Sequence, residues 1–184
     1  MLENENKYIK QAQGGHKEAF GIIYSHYLPK IYRFISLKVN GKTTAEDLTH
    51  EVFLNAWKRL SKYETREFPF SSWLYQIARN EVIDFYRTNK KNISLENIGE
   101  GTLKTIESED FDAVLSLEKI KVLIKFLKPD QQDVLIMRFI EDLSHDEIAA
   151  AIKKSAGAVR LIQYRAINSL KELYEKNNNN VKEI

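Results

Sequence analysis

The chain has 184 residues, a net charge of +2 and no cysteine, which excludes disulfides, thiolate nucleophiles and cysteine metal sites and is long enough to bury a core without staples. Its 43% hydrophobic and 29% charged residues are those of a globular protein. No apolar run approaches the roughly 18 residues of a membrane span, and residues 1–13 are too polar for a signal peptide.

Helical spacing dominates, without an alternating strand pattern or an internal repeat. A first helix is predicted over 17–25 and a second over about 28–39. Pro29 falls in a first turn, where its missing N–H is not needed, and Asn40-Gly41 marks a stop. Thr44 with Asp47 makes a capping-box pattern that starts a third helix, running to about Leu60. Ala45, Leu48, Val52, Ala56 and Leu60 form its core stripe. Asp47, His50, Glu51, Leu54, Asn55 and Lys58 form the other face, either a docking surface or a solvated one. Residues 61–72 are a loop, and a long helix follows from about Ser71 to Thr88. Its core face holds Leu74, Ile77, Ala78 and Phe85, and another face holds Asn80, Asp84 and Arg87. Tyr63, Arg66, Phe68, Phe70 and Trp73 interleave rings with cations. That mixture suits unpaired nucleic acid, since rings stack on bases while cations hold the backbone, but any of these aromatics can equally fill a core.

Residues 90–112 lack periodicity and contain Ser94, Gly99 and Gly101, which reads as a linker. Val114, Leu117, Ile120, Ile124 and Leu127 recur at helical spacing, and Pro129 opens a helix to about Glu141. In the stretch 143–170, Ser144 caps a short helix over about 145–152, with Glu147 completing the box and Leu143 and Ile148 a hydrophobic staple. Lys153-Lys154 form a turn and Ser155 caps a last helix to about Tyr174. Ile148, Ile152, Val159, Ile162, Ile167 and Leu170 face the core, while Arg160, Gln163, Tyr164 and Arg165 lie outward. Such a helix-turn-helix puts Arg and Gln within reach of base edges and Lys153, Lys154 and Arg165 near phosphates; an ordinary helical hairpin with a basic face has the same pattern. The asparagine-rich tail beyond Lys176 is low-complexity and predicted disordered.

Charge follows these divisions. Residues 1–92 carry fifteen basic and ten acidic residues, 93–112 one basic and six acidic, and 113–184 twelve and ten. The net charges are +5, −5 and +2: two basic bodies joined by an acidic strip. The fold class is all-α, two small helical domains and a flexible linker.

No catalytic constellation survives inspection. His50-Glu51 begins like a zinc-helix motif, but Leu54 stands where the second histidine belongs. The four histidines share no metal-ligand spacing, Gly99-Glu100-Gly101 lacks a third glycine, and neighbouring acids such as Glu46-Asp47 diverge on a helix. Catalytic residues, metal and cofactor are all expected to be none.

Three ordered segments, AEDLTHEVFLNAW, WLYQIARNEVIDFYR and LSHDEIAAAIKKSAGAVRLIQYRAI, closely resemble the bacterial sigma-70 family. The short chain resembles its extracytoplasmic-function (ECF) branch, over roughly residues 8–174. The resemblance implies residues 1–90 as region 2, 91–112 as the linker, 113–176 as region 4 and 177–184 as the tail. It implies binding to the RNA polymerase core, at the clamp of the largest subunit and the flap of the second, and promoter recognition in the cytoplasm. Asp47, His50, Glu51, Leu54 and Asn55 would contact core. Lys62, Tyr63, Arg66, Phe68, Phe70, Trp73, Asn80, Asp84 and Arg87 would meet the minus-ten element. Lys153, Lys154, Ser155, Ala158, Arg160, Leu161, Gln163 and Arg165 would meet the minus-thirty-five duplex. The acidic linker would lie in a basic channel of polymerase or act only as a spacer. Many members are held by an anti-sigma factor, which becomes a candidate partner. His50 stands where Gln is usual, a departure at the core contact, and Lys153-Lys154 where a Gly is common; Ala158 stands for a frequent Thr and Leu161 for a frequent Ser, which implies different duplex contacts. A stand-alone dimeric regulator and a polymerase-binding protein without DNA recognition are the competing readings.

Overall fold

The computed structural model describes residues 2–64, 69–92 and 121–182, with side chains described at neither 90–92 nor 177–182. In chain order the elements are α1 (Glu5–Gln13), α2 (Lys17–Ser36), α3 (Lys42–Arg59), a 3-10 turn (Leu60–Lys62), α4 (Phe70–Asn92), α5 (Pro129–Leu135), a π-helical turn (Ile136–Ile140), α6 (His145–Ile152) and α7 (Ala156–Lys182). No strand occurs among the described residues. The 91–112 linker and the helix expected from Val114 fall mostly on 93–120, outside the described residues.

Four boundaries differ from those expected. Residues 5–13 form α1, which polarity concealed: it buries only Ile9 and Ala12. The helices expected at 17–25 and 28–39 are one helix with Pro29 inside it. Proline removes one ladder hydrogen bond and crowds the preceding turn, but Ala19, Ile23, Tyr27, Ile31 and Phe34 are buried along a single face on both sides of it. α3 begins at Lys42 rather than at Thr44, with Gly41 as its N-cap at φ +89° and no side-chain cap. The Asn177–Asn180 run, expected to be disordered, continues α7 to Lys182; no glycine or proline stops it, and extending an existing helix is far easier than starting one.

The α3 stripe of Ala45, Leu48, Val52, Ala56 and Leu60 is buried, as are Leu74, Ile77 and Ala78 of α4. α1 packs on α2, α2 on α3 and α3 on α4, while α5, α6 and α7 pack on one another. The two units also meet each other, α4 lying along α6. Buried apolar side chains of both units join one core across that seam, and polar pairs cross it as well. Lys38 is ion-paired with Asp133, both side chains almost fully buried. Arg79 bonds Asp133 through Nε at 2.7 Å and Asp130 through Nη2 at 2.8 Å. Arg33 clasps Glu141 with two bonds of 2.7 and 2.8 Å, and the Tyr75 hydroxyl donates to the same carboxylate at 3.0 Å. Burial lowers the Lys38 pKa, opposed by Asp133.

Candidate nucleic-acid and protein interfaces

The first surface lies on α2 and α3. Asp47, His50, Glu51 and Leu54 are exposed in a row along α3. Asn55 is half-buried instead, and its amide donates to Glu81 of α4 at 2.8 Å, so it braces two helices. Beside the row are two shallow hollows. One, of about 310 Å³, is walled by Phe20, Phe53, Leu54 and Trp57. The other, of about 540 Å³, has Leu28, Pro29 and Tyr32 on one side and Glu46 and Asp47 on the other. Tyr24 and His50 border both. Edge-on ring pairs, Phe20 with Trp57 and Tyr24 with Phe53, each 4.7 Å between centroids, set the walls. The α2 side of this surface was missed from sequence, although Phe20, Tyr24, Leu28 and Tyr32 recur at intervals of four.

The second surface surrounds the segment between α3 and α4. Arg66 and Phe68 lie outside the described residues. Lys62 is exposed, but Tyr63 and Phe70 are 7% and 1% exposed, which corrects their reading as platforms for bases. Their rings meet at 5.3 Å, and each packs on Trp73, at 5.0 Å from Tyr63 and 5.3 Å from Phe70. The triad zips the two ends of the segment together. Hydrophobic burial outweighs stacking on a base for rings that already have a core to enter. Burial also pushes the Tyr63 phenol up to about 12. Trp73 keeps an intermediate exposure, and Asn80, Asp84 and Arg87 are exposed along α4, with Asp84 and Arg87 paired at 3.0 Å.

The third surface is the helix-turn-helix. Ser144 Oγ accepts from the Glu147 N–H at 3.2 Å, while Glu147 accepts from the Ser144 N–H at 2.9 Å, so the expected box is formed. Leu143 and Ile148 of the staple are buried. Lys153 closes α6 at φ 55°, ψ 49°, the left-handed conformation that a glycine takes freely. Ser155 Oγ accepts from the Ala158 N–H at 3.2 Å and caps α7. Lys153, Lys154, Ser155, Arg160, Leu161 and Arg165 are exposed, and Ala158 and Gln163 half-exposed. Gln163 is hydrogen-bonded to the His145 ring at 2.7 Å, and Lys154 lies 3.5 Å from Asp130. Tyr164, 66% exposed on the same helix, stands beside these residues. Among the described residues no cluster of three His, Asp or Glu side chains could hold a metal, and no helix is long and apolar enough to cross a membrane.

Residues 23–92 match the family described as Sigma-70 region 2, and residues 123–172 match Sigma-70, region 4. The ECF RNA polymerase sigma factor BldN of Streptomyces coelicolor is 36% identical over 168 residues, covering 90% of this chain. The chain spans 64% of that relative's length. The ECF RNA polymerase sigma factor SigW of Bacillus subtilis is 31% identical over 177 residues, covering 90% of this chain and 94% of the relative. The solved structure of CnrH in complex with the cytosolic domain of CnrY shares the fold, with a TM-score of 0.72 at 22% identity over 94% of this chain and 97% of that one.

Proposed function

The chain belongs to the ECF branch of the sigma-70 RNA polymerase sigma factors, the proteins that direct promoter recognition and transcription initiation, and from that we propose how its surfaces divide this work. Residues 1–90 act as region 2, 91–112 as the linker and 113–176 as region 4. The α3 row of Asp47, His50, Glu51 and Leu54, with the hollows beside it, docks on the clamp of core polymerase. Lys62, Trp73, Asn80, Asp84 and Arg87 meet the opened minus-ten strand, cations and amides against phosphates and bases. Lys153, Lys154, Ser155 and Arg165 hold the phosphates of the minus-thirty-five duplex, and Arg160 and Gln163 read base edges. The protein is a specificity subunit without a reaction of its own and works where polymerase and chromosome are, in the cytoplasm. An anti-sigma protein would act by covering the α3 row.

The observation that carries this reading is the exposed α3 row beside aromatic hollows, since a solvated face has no reason to keep five large rings at its border. Transcription reconstituted from purified core polymerase tests it. The expected result is initiation from a defined start site and a core complex on a sizing column, with Glu51→Arg weakening the complex and leaving the fold intact. Failure to form a complex, together with no start site on a genomic template, overturns it.

A further inference from the structure

We propose that Gln13 is a positioning residue for promoter opening, acting from outside the region 2 match by fixing the stem of the minus-ten segment; this rests on the reading of that segment as the minus-ten contact. Gln13 is the last residue of α1, ten residues before that match begins. Its side-chain amide nitrogen donates to the Leu60 carbonyl at 3.0 Å and to the Tyr63 carbonyl at 2.7 Å. These carbonyls belong to the first residue of the 3-10 turn and to the residue that follows it, where the helical ladder of α3 runs out. The Leu60 carbonyl also receives the Tyr63 N–H at 3.0 Å. An amide has two N–H donors, and Gln13 uses them on carbonyls that bracket Lys62, the exposed cation of the stem.

The stem is also held through the Tyr63 ring, which packs on Phe70 and Trp73. Gln13 and the triad thus both hold Tyr63, one by its backbone and the other by its side chain. α1 is itself anchored, by Ile9 and Ala12 in the core and by the Tyr27 hydroxyl donating to Glu5. A stem free to shift by an ångström would present Lys62 and the start of α4 to the strand in many orientations, and ordering it during melting would raise the barrier.

The test uses holoenzyme assembled from core polymerase and the full chain. Gln13→Glu keeps the size but removes the donor and sets a carboxylate against two carbonyls. Gln13→Lys keeps a donor. Permanganate reactivity of minus-ten thymines reads opening, and anisotropy reads core affinity. Gln13→Glu is expected to slow opening about tenfold while core affinity stays within about twofold, and Gln13→Lys is expected to recover most of the rate. Opening at the unaltered rate, equal losses in core affinity and opening, or equal defects in the two variants overturn the proposal. Lys62→Glu is run beside them. If it leaves opening unchanged, the minus-ten reading itself fails; if it slows opening and Gln13→Glu does not, only the role of Gln13 falls.

Discussion

Asp133 holds the seam between the two units. It receives Lys38 and the Arg79 Nε, and its side chain is entirely buried. Asp133→Ala would leave the Lys38 charge buried without its partner, so the variant should lose about 3–5 kcal/mol in urea denaturation; a loss below 1 kcal/mol would mean that Lys38 escapes to solvent. Nothing local in the sequence announced this pair, because its members are 95 residues apart. Tyr63 and Phe70 raise the same difficulty from the other direction. A ring beside a cation reads identically whether it faces a base or a core, and only the tertiary contacts of Trp73 decide. Arg160 was legible, since its outward position follows from helical spacing alone. Arg160→Ala should cost about 1–3 kcal/mol of discrimination between promoter bases, measured by competition among duplexes changed one pair at a time. Equal weakening on every duplex would make it a phosphate contact.

At the scale of elements, α6 was readable to its ends because box and staple are contacts between residues three to five apart. Ser144→Ala should therefore cost about 1 kcal/mol in chemical denaturation. α2 was not readable as one helix, since Pro29 is a local breaker and the continuous buried face that overrides it is a tertiary fact. The turn after α6 joins both levels. Lys153 occupies a left-handed position, and an L residue there costs about 1–2 kcal/mol. Lys153→Gly should raise the unfolding midpoint while weakening duplex binding, if the lysine is retained for phosphate; a variant that gains stability and loses no affinity would remove Lys153 from the interface. The stem has a pH signature. The Tyr63 phenol is raised from 10 to about 12 by burial, so its contribution to stability is full below pH 10 and is lost as pH climbs from 10 to 12. Burial raises Tyr27, Tyr75 and Tyr86 as well, so absorbance titration should show a late-ionising group of tyrosines from which Tyr63→Phe removes one equivalent.

For the whole molecule the decisive quantity is length. A folded chain of this size has a radius of gyration of about 16 Å, hence a diameter of roughly 40 Å. The minus-ten and minus-thirty-five elements are about 25 base pairs apart, or roughly 85 Å at about 3.4 Å per pair. On the proposed division of the surfaces, the packed arrangement of α4 on α6 cannot touch both, so the units are expected to part on the promoter. Between Asn92 and Lys121 lie 28 residues, which fully extended reach about 95 Å, enough for that separation. With no native cysteine, Ser25→Cys and Lys171→Cys place one dye on each unit at exposed positions. Energy transfer between them should fall when core polymerase is added, and unchanged transfer would mean that the closed form persists. The two-unit plan and the all-helical class were legible from periodicity and charge blocks. The seam was not, because its ion pairs and its shared apolar core join residues far apart in sequence.

The chain contains two tryptophans, one on each of the two surfaces proposed for polymerase docking and for the minus-ten strand. Trp57 walls the hollow beside the α3 row, and Trp73 closes the ring triad under the minus-ten stem. Trp57→Phe leaves an intrinsic fluorophore that senses strand capture, and Trp73→Phe leaves one that senses polymerase docking. Stopped-flow emission from the two single-tryptophan proteins can therefore order these events in time without any attached dye.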